Sequence, residues 1–104
     1  MTPSKYQVFV DPDAAEKMFA HVRFLAQVSV TAAERLYSEM NTAINSLKTA
    51  PRICARYEPK RQMNAELRYK LCGKRYRIVF EIVENNVYVC DIQDCRQNSD
   101  KYLI

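Results

Sequence analysis

The sequence feature that most constrains the fold is a change of hydrophobic period near the middle of the chain. In the first half, apolar residues recur every three or four positions, the spacing of one face of an α-helix. In the second half they alternate with polar residues, the period of a β-strand. This change predicts an α+β fold with a helical layer packed on a sheet. The length of 104 residues predicts a single domain over 1–104.

Two helices are predicted in the first half. Pro12 suits a first helical position, and the apolar stripe that follows it ends near 28–29. The second stripe begins where Thr31 and Glu34 form a capping-box pattern, which predicts an N-cap at Thr31. It ends before Pro51, because the residue preceding a proline is disfavoured in the helical region. A short connection between two such helices predicts an antiparallel hairpin.

One strand is expected before the helices and three after them. The first covers 6–10, and the later three cover 66–72, 76–83 and 87–92. Residues 51–65 contain two prolines and little periodicity, so we expect an irregular connector there. The predicted architecture is β-α-α-β-β-β: an N-terminal strand, then an antiparallel helical hairpin packed on one face of a small antiparallel β-sheet.

Strand alternation predicts which side chains lie under the helices. The apolar sets expected there are Leu67, Tyr69 and Leu71 in one strand and Tyr76, Ile78, Phe80 and Ile82 in the next. The intervening basic residues then point the other way. We therefore expect Arg68, Lys70 and Arg77 to converge on the open sheet face.

The net charge of +4 conceals an uneven distribution. Residues 1–50 carry five basic and five acidic side chains, whereas residues 52–77 carry nine basic and two acidic ones, a net charge of +7. Tyrosines lie among these basic residues. The combination is compatible with phosphate contact and base stacking, and equally with a solvated basic face that keeps a small sheet soluble.

Other classes of site are disfavoured by the residue types. None of the four cysteines is arranged as CxxC and His21 is the only histidine, so we expect free thiols in a reducing cytosol, no metal and no cofactor. His21 is expected at the surface or boundary of its helix. The longest uncharged run, 24–33, is about half of the roughly 20 residues that a membrane span requires. Because the N-terminal segment also lacks a signal-peptide pattern, a cytoplasmic protein without membrane contact is expected.

The element order and three motifs resemble the RelE/ParE superfamily of bacterial toxin–antitoxin toxins. The motifs are APRI at Ala50–Ile53, YRIVF at Tyr76–Phe80 and DCRQ at Asp94–Gln97. Members of the RelE-like branch are ribosome-dependent endoribonucleases that cut mRNA with Lys, Arg and Tyr side chains. In either branch the resemblance implies a cognate antitoxin, which would wrap the hydrophobic hairpin and cover the basic sheet face as it folds.

The RelE-like resemblance assigns roles to individual residues. Lys70 would be the general base, Arg77 and Arg96 would stabilise charge on the phosphate, and Tyr102 would stack on a base or protonate the leaving oxygen. The further candidate RNA-binding residues are Arg61, Arg68, Lys74 and Arg75. The function predicted first is therefore a metal-independent mRNA endoribonuclease, with the ribosome and mRNA as partners.

The ParE-like branch is the alternative. Its resemblance to this chain lies in the long helical hairpin, whose second helix opens with Ala32 and Ala33. ParE-like members poison DNA gyrase and have no known catalysis. Gyrase would then replace the ribosome and mRNA as the target, and the basic residues would serve in binding.

Overall fold

The helical layer consists of two consecutive helices that pack against each other. The computed structural model describes residues 5–104, with α1 at Pro12–Ala26 and α2 at Val30–Ser46. Ser29 caps α2, because its hydroxyl accepts a hydrogen bond from the Ala32 N–H at 3.1 Å. The predicted cap at Thr31 is therefore wrong.

The sheet has five strands: β1 at Gln7–Val10, β2 at Ala55–Arg56, β3 at Glu66–Cys72, β4 at Tyr76–Val83 and β5 at Asn86–Asp94. Their spatial order is β1-β5-β4-β3-β2, and β1 pairs with β5 in parallel while the other pairs are antiparallel. The predicted α+β class and its β-α-α-β-β-β order are confirmed. The short β2 and a 3₁₀ turn lie within the stretch predicted to be irregular.

Both faces of the sheet are covered, by different parts of the chain. The face carrying Ile78 and Phe80, here called the helix face, packs on α1 and α2 in the larger hydrophobic cluster. The opposite face carries Val79 and is covered by the segment around Tyr57 and by the last residue, Ile104. We call it the tail face, and residues 101–104 the tail.

The register of β3 against β4 corrects one prediction. Arg68 lies opposite Phe80 and Lys70 opposite Ile78, whereas Arg77 lies opposite Leu71. Directly opposed residues in an antiparallel pair point to the same side of the sheet. Arg68 and Lys70 are therefore on the helix face and Arg77 is on the tail face, so the predicted convergence of these three residues is wrong.

The turn between β3 and β4 contains the only glycine of the chain. Gly73 has φ of 59° and Lys74 has φ of 68°, so both occupy the left-handed region. A Cβ at Gly73 would lie 3.3 Å from the Glu39 carboxylate on α2, which brings the turn close to the helix. This turn joins the strands predicted at 66–72 and 76–83, and glycine adopts its left-handed conformation without strain.

A β-bulge divides β5 into two halves. Val79 lies opposite Asp91 but Phe80 lies opposite Val89, so Cys90 between them has no partner on β4. Before the bulge the odd-numbered residues of β5 point to the helix face, and this alternation is reversed after it. After it, the even-numbered residues of β5 point to the helix face and the odd-numbered ones to the tail face.

His21 is buried, which corrects the surface or boundary position expected from the sequence. Its Nε2 lies 2.8 Å from the Ile92 carbonyl oxygen, and its ring centroid lies 5.2 Å from that of Tyr76. Burial lowers the pKa of His21, and the hydrogen bond to Ile92 offsets part of this effect. Within residues 5–104, neither α1 nor α2 nor any other helix is long and apolar enough to cross a membrane.

Candidate functional site

The guanidinium of Arg77 lies among three tyrosine rings on the tail face. Its Cζ is 5.7 Å from the ring centroid of Tyr57, 5.6 Å from that of Tyr69 and 5.5 Å from that of Tyr102. These distances are within the range of cation–π attraction. Among residues 5–104 the ion pairs do not involve Arg77, and its buried Nε has no hydrogen-bond partner. Arg77 therefore holds its positive charge among aromatic rings without a direct ion pair.

This enclosure opens into a cleft of about 300 Å³. Its lining residues are Arg56, Tyr57, Glu58, Lys60, Tyr69, Arg77, Ser99 and Tyr102. The Lys60 ammonium donates to the Tyr102 carbonyl at 2.6 Å, so one cation of the rim is engaged by the tail. The cleft combines positive charge with aromatic walls, which suits an anionic group attached to a planar one.

A buried polar network supports the floor of the cleft. The Gln93 amide donates to the Tyr57 hydroxyl at 2.7 Å and to Asp91 Oδ2 at 2.9 Å. Asp91 is 0% exposed, and its other oxygen accepts the Ile92 N–H at 2.8 Å. Burial raises the pKa of Tyr57, and the Gln93 bond lowers it in part, so this hydroxyl stays protonated and can donate.

Arg96 does not line the Arg77 cleft and is paired with Asp94 on the helix side of the sheet. Its Nε and Nη2 donate to the two Asp94 oxygens at 3.1 and 2.9 Å, a bidentate pair. Burial alone raises the pKa of the Asp94 carboxyl, but the hydrogen bonds and charge of Arg96 outweigh it and hold that pKa below its usual value. Arg96 also lines a cavity of about 410 Å³ next to the α1–α2 connection, together with Arg35 and Arg75.

Lys70 and Arg68 are also away from the Arg77 cleft. Lys70 lines a cavity of about 320 Å³ between α2 and β3, which shares Glu39 and Gly73 with the Arg96 cavity. Arg68 donates to the Cys54 carbonyl at 2.7 Å and to Glu66 at 3.0 Å, contacts that tie the connector to the sheet. Arg68 is therefore engaged in structural contacts.

The remaining predicted RNA-binding residues are exposed: Arg61 in the connector, and Lys74 and Arg75 in the β3–β4 turn. Of the predicted catalytic residues, the structure brings Arg77 and Tyr102 into one cleft. Lys70 and Arg96 line separate cavities on the other side of the sheet.

Sequence reasoning missed four residues that shape the Arg77 cleft: Tyr57, Lys60, Asp91 and Gln93. Two of them lie in a segment without periodicity. The others are polar residues within a strand, and their parity depends on the bulge. A carboxylate and an amide two positions apart in an otherwise apolar strand are the signal that could have indicated a buried polar network.

No group of three or more His, Cys, Asp or Glu side chains that could hold a metal ion occurs within the described residues 5–104. The side chains that line the Arg77 cleft carry guanidinium, ammonium, phenol and carboxylate groups.

The sequence places this chain in one class of protein, the toxins of type II toxin–antitoxin systems. The family model of the ParE toxin of the type II toxin–antitoxin system, parDE, matches residues 8–99. Because this match covers most of the chain, the protein belongs to the ParE toxin family. No curated protein sequence matches the chain significantly. Membership of this family implies a cognate antitoxin as partner.

Proposed function

We propose that this toxin acts in the cytoplasm as a ParE-like inhibitor that binds DNA gyrase and does not cleave RNA. One observation carries the proposal: the basic residues that a nuclease of this superfamily would use are distributed over two sheet faces. Lys70 and Arg96 line cavities on the helix side, whereas Arg77 and Tyr102 line the tail-face cleft.

This separation matters because metal-independent RNA cleavage needs its proton acceptor and its charge-stabilising groups around a single phosphate. Such groups must lie within about 3 Å of the atoms that react. Lys70, the only candidate base in the predicted set, lies opposite Ile78 on the other side of the sheet from Arg77. Arg96 has its guanidinium committed to Asp94.

A protein partner suits the surface near the α1–α2 connection. Phe24 and Val28, which are 70% and 80% exposed, line the cavity of about 410 Å³ together with Arg35 and Arg75. Val30, which is 63% exposed, begins α2 next to it. Exposed apolar side chains with a basic rim are typical of a protein interaction surface. We propose that the cognate antitoxin covers this surface, with an apolar and acidic segment that folds as it binds.

RNA cleavage remains the second candidate because of the tail-face cleft. Arg77, Tyr102 and Lys60 supply positive charge and an aromatic wall in one place, as contact with a nucleotide would require. In this alternative the partners are the ribosome and mRNA, and Lys70 has no part in the reaction.

Two assays on the purified toxin separate these functions. In a supercoiling assay with purified gyrase, we expect toxin excess to suppress supercoiling, and antitoxin added first to restore it. In primer extension on mRNA after induction, we expect no new cleavage sites. Unaffected supercoiling at toxin excess would exclude gyrase inhibition, and induced mRNA cuts that Arg77→Ala abolishes would establish the RNA alternative.

The antitoxin surface has its own test. Val28→Glu places an acidic side chain in the apolar and basic cavity and should weaken antitoxin binding at least tenfold in calorimetry. Val83→Glu is the matched control, because Val83 is also exposed but lies at the β4–β5 turn. Equal losses for both variants would contradict the proposed location.

A further inference from the structure

The tail is attached by side chains and not by a strand ladder. The backbone of each tail residue is hydrogen-bonded to a different side chain. Lys17 Nζ donates to the Lys101 oxygen and Lys60 Nζ to the Tyr102 oxygen, both at 2.6 Å. The Leu103 N–H donates to Asp91 Oδ2, and the Tyr57 hydroxyl donates to the Ile104 oxygen, both at 2.8 Å. Two of these bonds come from exposed lysines and two from the buried network. The Tyr102 hydroxyl also donates to the Gln97 and Asp94 carbonyls at 3.2 and 3.4 Å, and Ile104 packs on the small tail-face cluster. None of these contacts is a hydrogen bond between strands, so the tail can detach without disturbing the sheet.

The attached tail leaves two buried polar atoms of the tail face without partners. They are the Nε of Arg77, a donor, and the Oε1 of Gln93, an acceptor. These two residues lie directly opposite each other on β4 and β5. A donor and an acceptor on opposed residues of one sheet face are placed to bond with each other, and here they do not.

The reason is that both side chains are oriented by groups that also hold the tail. The Gln93 amide nitrogen donates to Tyr57 and Asp91, which in turn bind the Ile104 oxygen and the Leu103 N–H. The Arg77 guanidinium lies among three tyrosine rings, one of which, Tyr102, belongs to the tail and another of which, Tyr57, holds the Ile104 oxygen. Tail attachment and an Arg77–Gln93 bond therefore compete for the same side chains.

We infer that the tail is a strap that detaches as a unit, and that Arg77 pairs with Gln93 when it does. In the attached state Arg77 stacks against Tyr102, and the cleft is closed on that side. In the detached state Tyr102 leaves, Gln93 turns, and its oxygen accepts the Arg77 Nε–H. The tail thus controls access to the cationic cleft, whichever macromolecule the toxin inhibits.

Amide hydrogen exchange of the full chain tests detachment. We expect Leu103 to exchange faster than the β4 amides, and Tyr57→Phe to accelerate it by about tenfold through loss of the bond to Ile104. Tyr69→Phe is the control: that ring also contacts Arg77, but Leu103 exchange should stay unchanged. Leu103 exchange as slow as that of β4, or equal acceleration by both variants, would overturn the inference.

Side-chain NMR tests the coupling. Leu103→Pro removes the N–H that Asp91 accepts, so the tail should detach and the Arg77 Nε–H signal should move downfield as it gains an acceptor. In Leu103→Pro combined with Gln93→Leu, that acceptor is absent and the shift should not occur. An Arg77 signal that does not move in Leu103→Pro, or that moves equally in both variants, would overturn the pairing.

Discussion

The two faces of the sheet are both covered, but by different kinds of contact. The helix face is packed by two continuous helices, and its cluster consists of aliphatic, aromatic and sulfur-containing side chains. The tail face has a small cluster around Val79 and depends on hydrogen bonds from Tyr57, Asp91 and Gln93. Apolar packing is additive and non-directional, whereas a side-chain network holds only in one geometry. Stability is therefore expected to come from the helix face, and conformational change from the tail face.

The largest expected effect is on the helix face. Phe80 is 0% exposed and lies at the centre of the larger cluster. Phe80→Ala should lower the free energy of unfolding by about 3–5 kcal/mol, because it removes a buried ring and leaves a cavity. Urea denaturation followed by circular dichroism measures this, and a loss below about 1 kcal/mol would mean that the helix face is not the main core.

A smaller loss of unfolding free energy is expected for Val79, which lies on the tail face. Val79 is also 0% exposed, and Val79→Ala should cost about 1–2.5 kcal/mol. The matched control is Val89→Ala, the same substitution at an equally buried helix-face position. We expect Val89→Ala to cost more, because helices cannot move into the space as readily as the tail can. A larger loss for Val79→Ala would reverse the comparison.

The third effect concerns His21, whose ring packs on the helix side. Burial lowers its pKa below the ordinary 6.5, and the positive charge of Lys17 lowers it further. The hydrogen bond to Ile92 and the negative charge of Asp94 raise the pKa, but they do not cancel the effect of burial. The unfolded chain then binds more protons than the folded one as the pH falls through about 6.5, so the free energy of unfolding decreases. His21→Gln keeps a possible donor to Ile92 and should lose this pH dependence between pH 7.5 and 5.5. If His21→Gln keeps the same pH dependence of the unfolding free energy, that dependence comes from other titrating groups.

The smallest effect concerns the interaction energy between Arg77 and Arg96, which we expect to be close to zero. Arg77 and Arg96 line cavities on opposite sides of the sheet and share no lining residue. The change in unfolding free energy of Arg77→Ala combined with Arg96→Ala should therefore equal the sum of the single changes. Measurable non-additivity in this double-mutant cycle would show that the two guanidinium groups act together.

The elements could be predicted from the sequence because their hydrophobic periods are long and regular. The strands predicted at 66–72 and 76–83 match β3 and β4, and the two helices differ from prediction only near their ends. The N-cap was misplaced because Ser29 and Thr31 are both good caps, and only the path of the chain between the helices decides between them.

The faces of β3 were misassigned for a physical reason. Leu67 and Tyr69 are apolar because the tail face is also covered, so apolarity alone does not distinguish the two sides. The length of the turn carried the missing information. A three-residue turn pairs Cys72 with Tyr76, which places Lys70 opposite Ile78. The attachment of the tail could not be predicted, because its bonds to Tyr57, Lys60 and Asp91 join residues more than ten positions apart through side chains.

The bulge at Cys90 makes a single backbone position responsible for the chemistry of both faces. If Cys90 were instead paired regularly opposite Val79, Asp91 and Gln93 would turn toward the helices and Ile92 would reach the tail face. A carboxylate would then lie in hydrocarbon, and the strap would lose its anchor. For protein engineering, this means that a substitution at Cys90 that favours regular pairing would exchange the two faces of β5 beyond the bulge.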